Sequence, residues 1–426
     1  MNILILGAGG REHAFAWKIR QSPLCDQLYV APGNAGTAAI AVNEPIAATD
    51  FDAISALVLE RRIDLVLVGP EEPLVRGIRD HFRSRPDLAH VLLVGPDAAG
   101  ARLEGSKDWA KAFMRENDIP TAQSATFTAE TLSEGLQYLR THPLPVVLKA
   151  DGLAAGKGVV IAPSHENAEA TLRDMLGGQF GEASRKVVVE AFLAGIELSV
   201  FVLTDGRDYV LLPEAKDYKR VGEADTGLNT GGMGAVSPVP FADVDFLAKV
   251  DQRIVKPTVA GLQRGGMDYV GFLFIGLMNV NGDPYVIEYN VRMGDPETEV
   301  VLPRLRSDLV KLLEAAARKQ LAGVQPEVDP HTAVTVMLVS GGYPGRYEKG
   351  KPMTGLEGVE GVISFHAGTK LAGNGVVTDG GRVLALTALG ATIEEAAGKA
   401  RAAAEKVDFE GKYFRRDIGM DLLAYL

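Results

Sequence analysis

Short apolar runs recur along the first hundred residues at Ile3–Leu6, Leu28–Val30, Leu65–Val68 and Val91–Val94. Between them the apolar positions take helical spacing, as at Ile54, Leu57 and Val58. Strands alternating with helices predict βαβ units and a parallel sheet. Each run ends in residues of little bulk: Gly7-Ala-Gly-Gly10, Ala31-Pro-Gly-Asn-Ala-Gly36, Gly69-Pro-Glu71 and Gly95-Pro96. Open parallel sheets bind ligands at the carboxyl ends of their strands. These four loops therefore predict a pocket along one sheet edge, with Gly33, Asn34, Pro70 and Glu71 on it.

The pattern then changes. Ser106 predicts an N-cap for a helix over 107–116, ended by Asn117 and Pro120. Pro145–Ile161 reads as strand, small-residue loop, strand; 166–175 as a helix; 187–193 as a strand. Asp205-Gly206 predicts a hairpin turn before Tyr209–Leu212. Glu214–Gly234 reads as one long, polar, glycine-rich loop, of a length that is usually functional. A helical pattern over 245–262 carries Pro257, which predicts a kink or division. Asn281-Gly282 predicts the turn of a hairpin between Tyr269–Val280 and Tyr285–Asn290, and 307–321 reads as a helix. Asp295 before Pro296 predicts a cap and first helical residue. Gly323–Pro330 reads as a linker; strands at 333–339, 362–365 and 383–388 precede a helix opened by Thr392 and Glu395. The fold class expected is α/β and α+β, in several domains.

Length and charge narrow the partners. A chain of 426 residues is long for one core and predicts about three domains. A net charge of −11 argues against nucleic-acid and anionic-membrane surfaces and leaves small molecules as the expected partners. The single cysteine, Cys25, excludes an internal disulfide and fits a reducing, cytoplasmic setting. No run of about 18 apolar residues occurs, and the opening residues read as a strand and not a signal peptide.

The candidate chemistry centres on Pro284–Glu297. Side chains alternate along a strand, so Glu288 and Asn290 share one face while Ile287 and Tyr289 take the other. A carboxylate and an amide oxygen at that spacing can converge on one hard cation, and Mg²⁺ takes such ligands beside substrate phosphates. Arg292 follows on the same face if the strand persists. Upstream, Gly9, Gly10, Arg11 and Glu12 form a turn opening a helix, which suits a phosphate. A dinucleotide fingerprint would need a glycine where Glu12 stands and an acid after the second strand, where Ala31–Asn34 lies, so a nicotinamide site is disfavoured. Lys149 and Lys157 flank a glycine-rich loop that lacks the Ser or Thr of a P-loop, Gly158 standing there instead; an anion cover is the expectation. The backbone after Glu190 could meet a nucleotide base, with Phe192 and Leu193 as apolar walls.

Gly-Gly-Arg-Glu-His13, Ala-Pro-Gly-Asn-Ala-Gly-Thr37, Leu-Glu-Gly-Ser-Lys107, Lys-Ala-Asp-Gly-Leu-Ala-Ala-Gly-Lys-Gly158, Asn-Thr-Gly-Gly-Met-Gly234, Gly-Asp-Pro-Glu297 and Phe-His-Ala-Gly-Thr-Lys370 together resemble the phosphoribosylamine–glycine ligase family, over essentially the whole chain. The resemblance implies an N-terminal α/β domain over 1–105, an ATP-grasp domain over 106–325 with a lid subdomain at about 121–193, and a C-terminal α+β domain over 326–426. It implies an ATP-dependent joining of glycine to 5-phosphoribosylamine through glycyl phosphate. By position it assigns Lys107, Lys149, Lys157, Glu190, Phe192, Leu193, Glu197 and Lys219 to ATP, and Glu288 and Asn290 to Mg²⁺ or Mn²⁺. It assigns Gly9, Gly10, Arg11, Glu12, Gly33, Asn34, Pro70, Glu71, Asp217 and Arg292 to the substrates, with Arg292, Lys157 and Asp217 in the chemistry. A monomer or weak dimer is the expectation. Tyr218, Ala191, Leu228, Tyr289 and Met293 depart from the family's usual residues, and the strand opposite Glu288 offers no further carboxylate for a second metal.

Overall fold

The computed structural model describes residues 1–154, 158–373 and 375–426. The apolar runs of the first hundred residues form a five-stranded sheet in the order Val42–Asn43, Gln27–Pro32, Asn2–Gly7, Leu65–Val68, Leu92–Val94, parallel throughout. Both faces of its strands are covered, which is why Ile3–Leu6 and Leu65–Val68 read as continuous apolar runs without alternation.

Eight antiparallel strands build the central sheet: Asp283–Asn290, Gly271–Val280, Ile196–Thr204, Tyr209–Asp217, Gly234–Ser237, Thr332–Val339, Arg382–Gly390 and Ile363–His366. The last three come from beyond residue 330, so these C-terminal strands continue the sheet of the central region, while Thr369–Ala372 and Gly375–Thr378 pair separately as a two-stranded sheet. One apolar core accordingly runs from Leu4 through Phe274 to Leu386. A separate four-stranded sheet, Ser124–Thr128, Lys186–Ala191, Val146–Ala150 and Val159–Ala162, carries its own core of Phe127, Leu148, Leu172 and Val189 under two helices.

Local signals account for much of this. Ser106 caps the helix Lys107–Glu116 by accepting from the Trp109 amide, and Thr392 caps Ile393–Lys406 in the same way. Asn281 and Gly282 both take positive φ, 53° and 86°, as a two-residue hairpin turn requires. Pro257 opens the last of three helical segments into which 244–264 is divided.

Two expectations are corrected. Glu214–Gly234 is not one loop: the strand Tyr209–Asp217 takes its start, Arg220–Gly222 pairs with Thr226–Asn229, and Gly234 opens the next strand. Strands of three or four polar residues carry too little periodicity to be read. Asp295 does not cap a helix either. The helix begins at Thr298, and the Asp295 carboxylate instead accepts from the Arg11 amide at 3.2 Å, at the start of the helix Gly10–Ile19.

Gly271 joins the two large sheets. Its φ is +147°, and a Cβ there would lie 3.2 Å from the Gly95 backbone. Gly271→Ala is expected to lower stability by about 1–3 kcal/mol through strain and backbone crowding. Urea unfolding measures this, and an unchanged midpoint would contradict it. Among the described residues no helix is long and apolar enough to cross a membrane.

Candidate active site

Where the two cores meet lies a cavity of about 480 Å³, walled by the small four-stranded sheet, the end of the central sheet and the loops of the N-terminal sheet. The strand Asp283–Asn290 forms its floor. Its pairing with Gly271–Val280 slips at Ile287, an extra residue between the pairs Val286–Leu277 and Glu288–Gly276. Regular pairing resumes at Glu288, so Glu288 and Asn290 do share the cavity face, while the Tyr289 hydroxyl bonds Thr258 behind the strand at 2.7 Å. Ile287 does not turn away as alternation predicts. The bulge brings it to the cavity, where its carbonyl accepts from Lys149 Nζ at 3.0 Å.

Neither the Glu288 carboxylate nor the Asn290 amide makes a hydrogen bond to another side chain or backbone group among the described residues. Burial works against the charge of Glu288, but Lys219, Lys149, Lys107 and Arg292 outweigh it and hold the carboxyl below its usual range. An ionised carboxylate and an amide oxygen, both open to the cavity, fit a divalent cation carried by an anionic substrate.

Lysines line the wall beside this floor. Lys107, at the first position of its helix, is held by the Gly152 carbonyl at 3.2 Å. Lys149, on the strand Val146–Ala150, reaches Glu190 Oε2 at 3.0 Å, and Lys111 reaches the same oxygen at 3.3 Å. Burial pulls the Lys111 ammonium down to about 8, against the pull of Glu190. Lys111 was not anticipated. It stands one helical turn after Lys107 and therefore on the same face, a signal that spacing carries. Glu190 Oε1 is buried without a partner among the described residues.

At the other end, Arg292 continues the cavity face although the strand stops at Asn290. Its guanidinium reaches Glu104 at 2.8 Å and Glu71 at 3.2 Å, and the second Glu104 oxygen accepts from the Val291 amide at 2.8 Å. Burial raises the Glu104 carboxyl to about 7 against the pull of Arg292, whereas at Glu71 the charges of Arg292 and Arg11 overcome burial and depress it. Pro70, Glu71 and Arg11 wall this end, with Asp295 held by Arg382 at 3.1 Å.

Between the two ends Asp217, Glu297 and Lys219 line the cavity. Burial raises both carboxyls; Asp217 adds to the rise at Glu297, which reaches about 8, and Glu197 and Glu288 add to the rise at Asp217. Lys219 lies 3.1 Å from Glu197 and 3.7 Å from Asp217, and these acids keep it charged despite burial. A raised carboxyl holds a proton in the native state that the unfolded chain has already released. Stability from Glu297 is therefore lost as pH rises from about 4.5 to about 8. Glu297→Gln is expected to flatten the fall in that window, by up to about 1.4 kcal/mol per pH unit. Chemical unfolding of both proteins at pH 5 and pH 8 tests this, and parallel pH profiles would contradict it.

Residues 1–104, 105–298 and 333–421 match the N domain, the ATP-grasp (A) domain and the C domain of phosphoribosylglycinamide synthetase. The chain belongs to the phosphoribosylglycinamide synthetase family. It is 47% identical over 430 residues to the phosphoribosylamine–glycine ligase of Vibrio cholerae, covering 100% of this chain and 99% of that protein. The enzyme of the same name from Chlorobaculum tepidum is 46% identical over 431 residues, covering 99% and 100%. The crystal structure of phosphoribosylamine–glycine ligase from Thermotoga maritima superposes with a TM-score of 0.85 at 37% identity, over 98% of this chain and 100% of that one. A biotin carboxylase from Campylobacter jejuni shares the fold alone, with a TM-score of 0.68 at 15% identity over 98% and 93%. The central region is thus an ATP-grasp domain, and that class of fold uses ATP with a divalent metal.

Against the phosphoribosylglycinamide synthetase pattern, several predicted residues stand away from the cavity. Glu12 is turned back onto its own helix, accepting from the Gly9 amide at 2.6 Å and from Arg11 Nε at 2.6 Å, packed against Gly7 and Gly69. Asn34 is consumed as a staple: its amide donates to the Ala8 and His366 carbonyls, and its oxygen accepts from the Gly36 and Thr37 amides. Its neighbour Gly33 packs on Asn43, and Gly9 and Gly10 on acidic side chains of the loop and helix after Gly294; none of these three glycines lines the cavity. The strand Lys186–Ala191 ends before Phe192 and Leu193, and Phe192 is exposed. Glu197 sits behind Lys219 and outside the lining. Lys157 lies outside the described residues. Sequence reasoning missed Glu104, Lys111, Asp295, Glu297 and Arg382 as lining groups. Glu104, Asp295 and Glu297 fall inside motifs it had singled out, while Arg382 carries no local signal.

Proposed function

We propose that this chain is an ATP-dependent ligase joining glycine to 5-phosphoribosylamine, with glycinamide ribonucleotide, ADP and phosphate as products, by way of glycyl phosphate. A glycine carboxylate oxygen attacks the γ-phosphorus and the bond to ADP breaks. The amine of phosphoribosylamine then attacks the glycyl carbonyl, phosphate leaves, and the amine loses a proton. Phosphoryl transfer of this kind needs positioning and charge neutralisation more than covalent help. The observation that carries the reading is the pair of oxygens, Glu288 and Asn290, without hydrogen-bond partners among the described residues and facing a cavity that Lys107 and Lys149 also line.

Glu288 and Asn290 would hold Mg²⁺ or Mn²⁺, which when bound neutralises and orients the triphosphate. Lys107 and Lys149 face the phosphates, and Lys219 stands with Asp217 at the reacting end. Arg292, fixed by Glu104 and Glu71, presents its guanidinium where charge builds on the transferring group. Asp217 and Glu297 offer carboxyl oxygens to a substrate amine, and the positive charge of glycine's ammonium would favour their ionised forms. Arg11, Pro70 and Glu71 wall the end assigned to phosphoribosylamine, and the small sheet over the cavity limits the access of water to the acyl phosphate. The setting is cytoplasmic, and the enzyme acts as a monomer or weak dimer.

A coupled assay of ADP release tests the activity. ADP is expected only with glycine and freshly made phosphoribosylamine together. Release driven by bicarbonate or formate, or indifferent to glycine, would contradict the reading.

A further inference from the structure

A second hollow, of about 320 Å³, shares no lining residue with the ATP-grasp cavity and lies where the helix Ile78–Ser84, the hairpin turn at Gly206, the loop before Gly271 and the end of the helix Leu309–Ala317 come together. Its charged lining is Arg83, Arg207 and Lys319 against one carboxylate, Asp268. Asp268 is already well paired from beneath: Arg79, largely buried, donates to it at 2.5 Å and ties itself to the Leu93 and Gly95 carbonyls. Arg83 reaches that carboxylate at 3.1 Å and Lys319 at 3.0 Å, both side chains about half exposed. Arg207 is exposed and forms no ion pair among the described residues.

Counting Asp268 wholly against the lining leaves two positive charges uncompensated, and Arg79 beneath adds a third. The neighbouring acids do not cancel them. Asp205 is buried and spent on the amides of Arg207, Asp208 and Leu321; Asp97 is buried and spent on the amides of Gly100 and Asp268. Asp208 lies on the hairpin outside the lining. On a chain of net charge −11, such a concave cationic excess is not background. The Gln263 amide adds uncharged hydrogen-bonding capacity at the rim.

We propose that this hollow binds a phosphate dianion, free or as a monoester, clamping the N-terminal sheet to the central one. Arg83 and Arg207 come from the two sides that the ligand would bridge, and two positive charges match the charge of one phosphate dianion. The loop that lines the hollow runs straight into the strand Gly271–Val280, whose Phe274 lines the catalytic cavity, so the clamp bears on the same strand pair that holds Glu288.

The test is thermal unfolding of the full chain, its catalytic cavity saturated with magnesium–ADP, titrated with inorganic phosphate against chloride at matched ionic strength. Phosphate is expected to raise the unfolding temperature above the chloride control. Arg207→Ala, which removes no ion pair, and Lys319→Asn, which keeps a residue tolerant of the left-handed backbone at that position (φ 59°), are each expected to weaken the apparent phosphate affinity about 10-fold. Ribose 5-phosphate and AMP run in parallel: equal affinity with inorganic phosphate assigns the site to the free ion, and tighter binding that is lost in Arg207→Ala assigns it to an ester. No response beyond chloride, or an unchanged response in Arg207→Ala, would overturn the proposal.

Discussion

Glu288→Ala is expected to lower kcat by on the order of 10²-fold or more at ordinary Mg²⁺, with the fold intact. The carboxyl is held below its usual range because four cations face it, and it makes no hydrogen bond among the described residues. Its free energy is therefore available to a ligand. Removing it leaves Lys107, Lys149, Lys219 and Arg292 around a floor without its negative charge, a change that the chain tolerates structurally because those lysines and the arginine keep their other partners. The loss should be partly recovered at raised metal concentration, since Asn290 remains. Near-normal turnover in Glu288→Ala would contradict the role given to this oxygen pair.

Arg292→Ala is expected to damage both stability and catalysis. Arg292 is the cation that compensates Glu104, whose carboxyl is buried and already raised to about 7. Breaking a buried pair from one side costs about 3–5 kcal/mol, because the charge left behind is uncompensated. Glu104 then holds its proton to higher pH, so the destabilisation should be larger at pH 8, where the unfolded chain has released that proton and the wild-type carboxylate is ionised against Arg292, than at pH 6. The double variant Arg292→Ala with Glu104→Gln separates the two effects. Stability should return, since no charge is stranded, while kcat should stay down by about 10²-fold. If kcat returned with stability, Arg292 would be a structural partner of Glu104 and nothing more.

What could be read from the chain follows the range of the interactions involved. Ser106, Thr392 and the Asn281-Gly282 turn were legible because caps and tight turns are decided within four residues. The parallel sheet was legible because strands covered on both faces leave uninterrupted apolar runs. Glu288 and Asn290 were legible as a same-face pair because alternation survives locally, whereas Ile287 was not, since a bulge is set by the partner strand. At Glu12 and Asn34 the residues alone left the local packing unread. A turn that receives a phosphate and a turn that staples two segments use the same small and polar residues, and the stapling hydrogen bonds at these two positions join segments far apart in the chain or close a helix's own first turn. Likewise nothing in the residues after 330 announces that their strands complete the central sheet, because edge pairing across a long connection leaves no local mark.

Diffraction from crystals grown with Mn²⁺ and a non-hydrolysable ATP analogue, recorded for the anomalous signal of manganese, bears most directly on the oxygen pair at the centre of this account. A manganese peak is expected within bonding distance of a Glu288 carboxylate oxygen and of Asn290 Oδ1, with the triphosphate between it and Lys149. A peak elsewhere, with Glu288 and Asn290 facing solvent and the nucleotide outside the cavity, would contradict it.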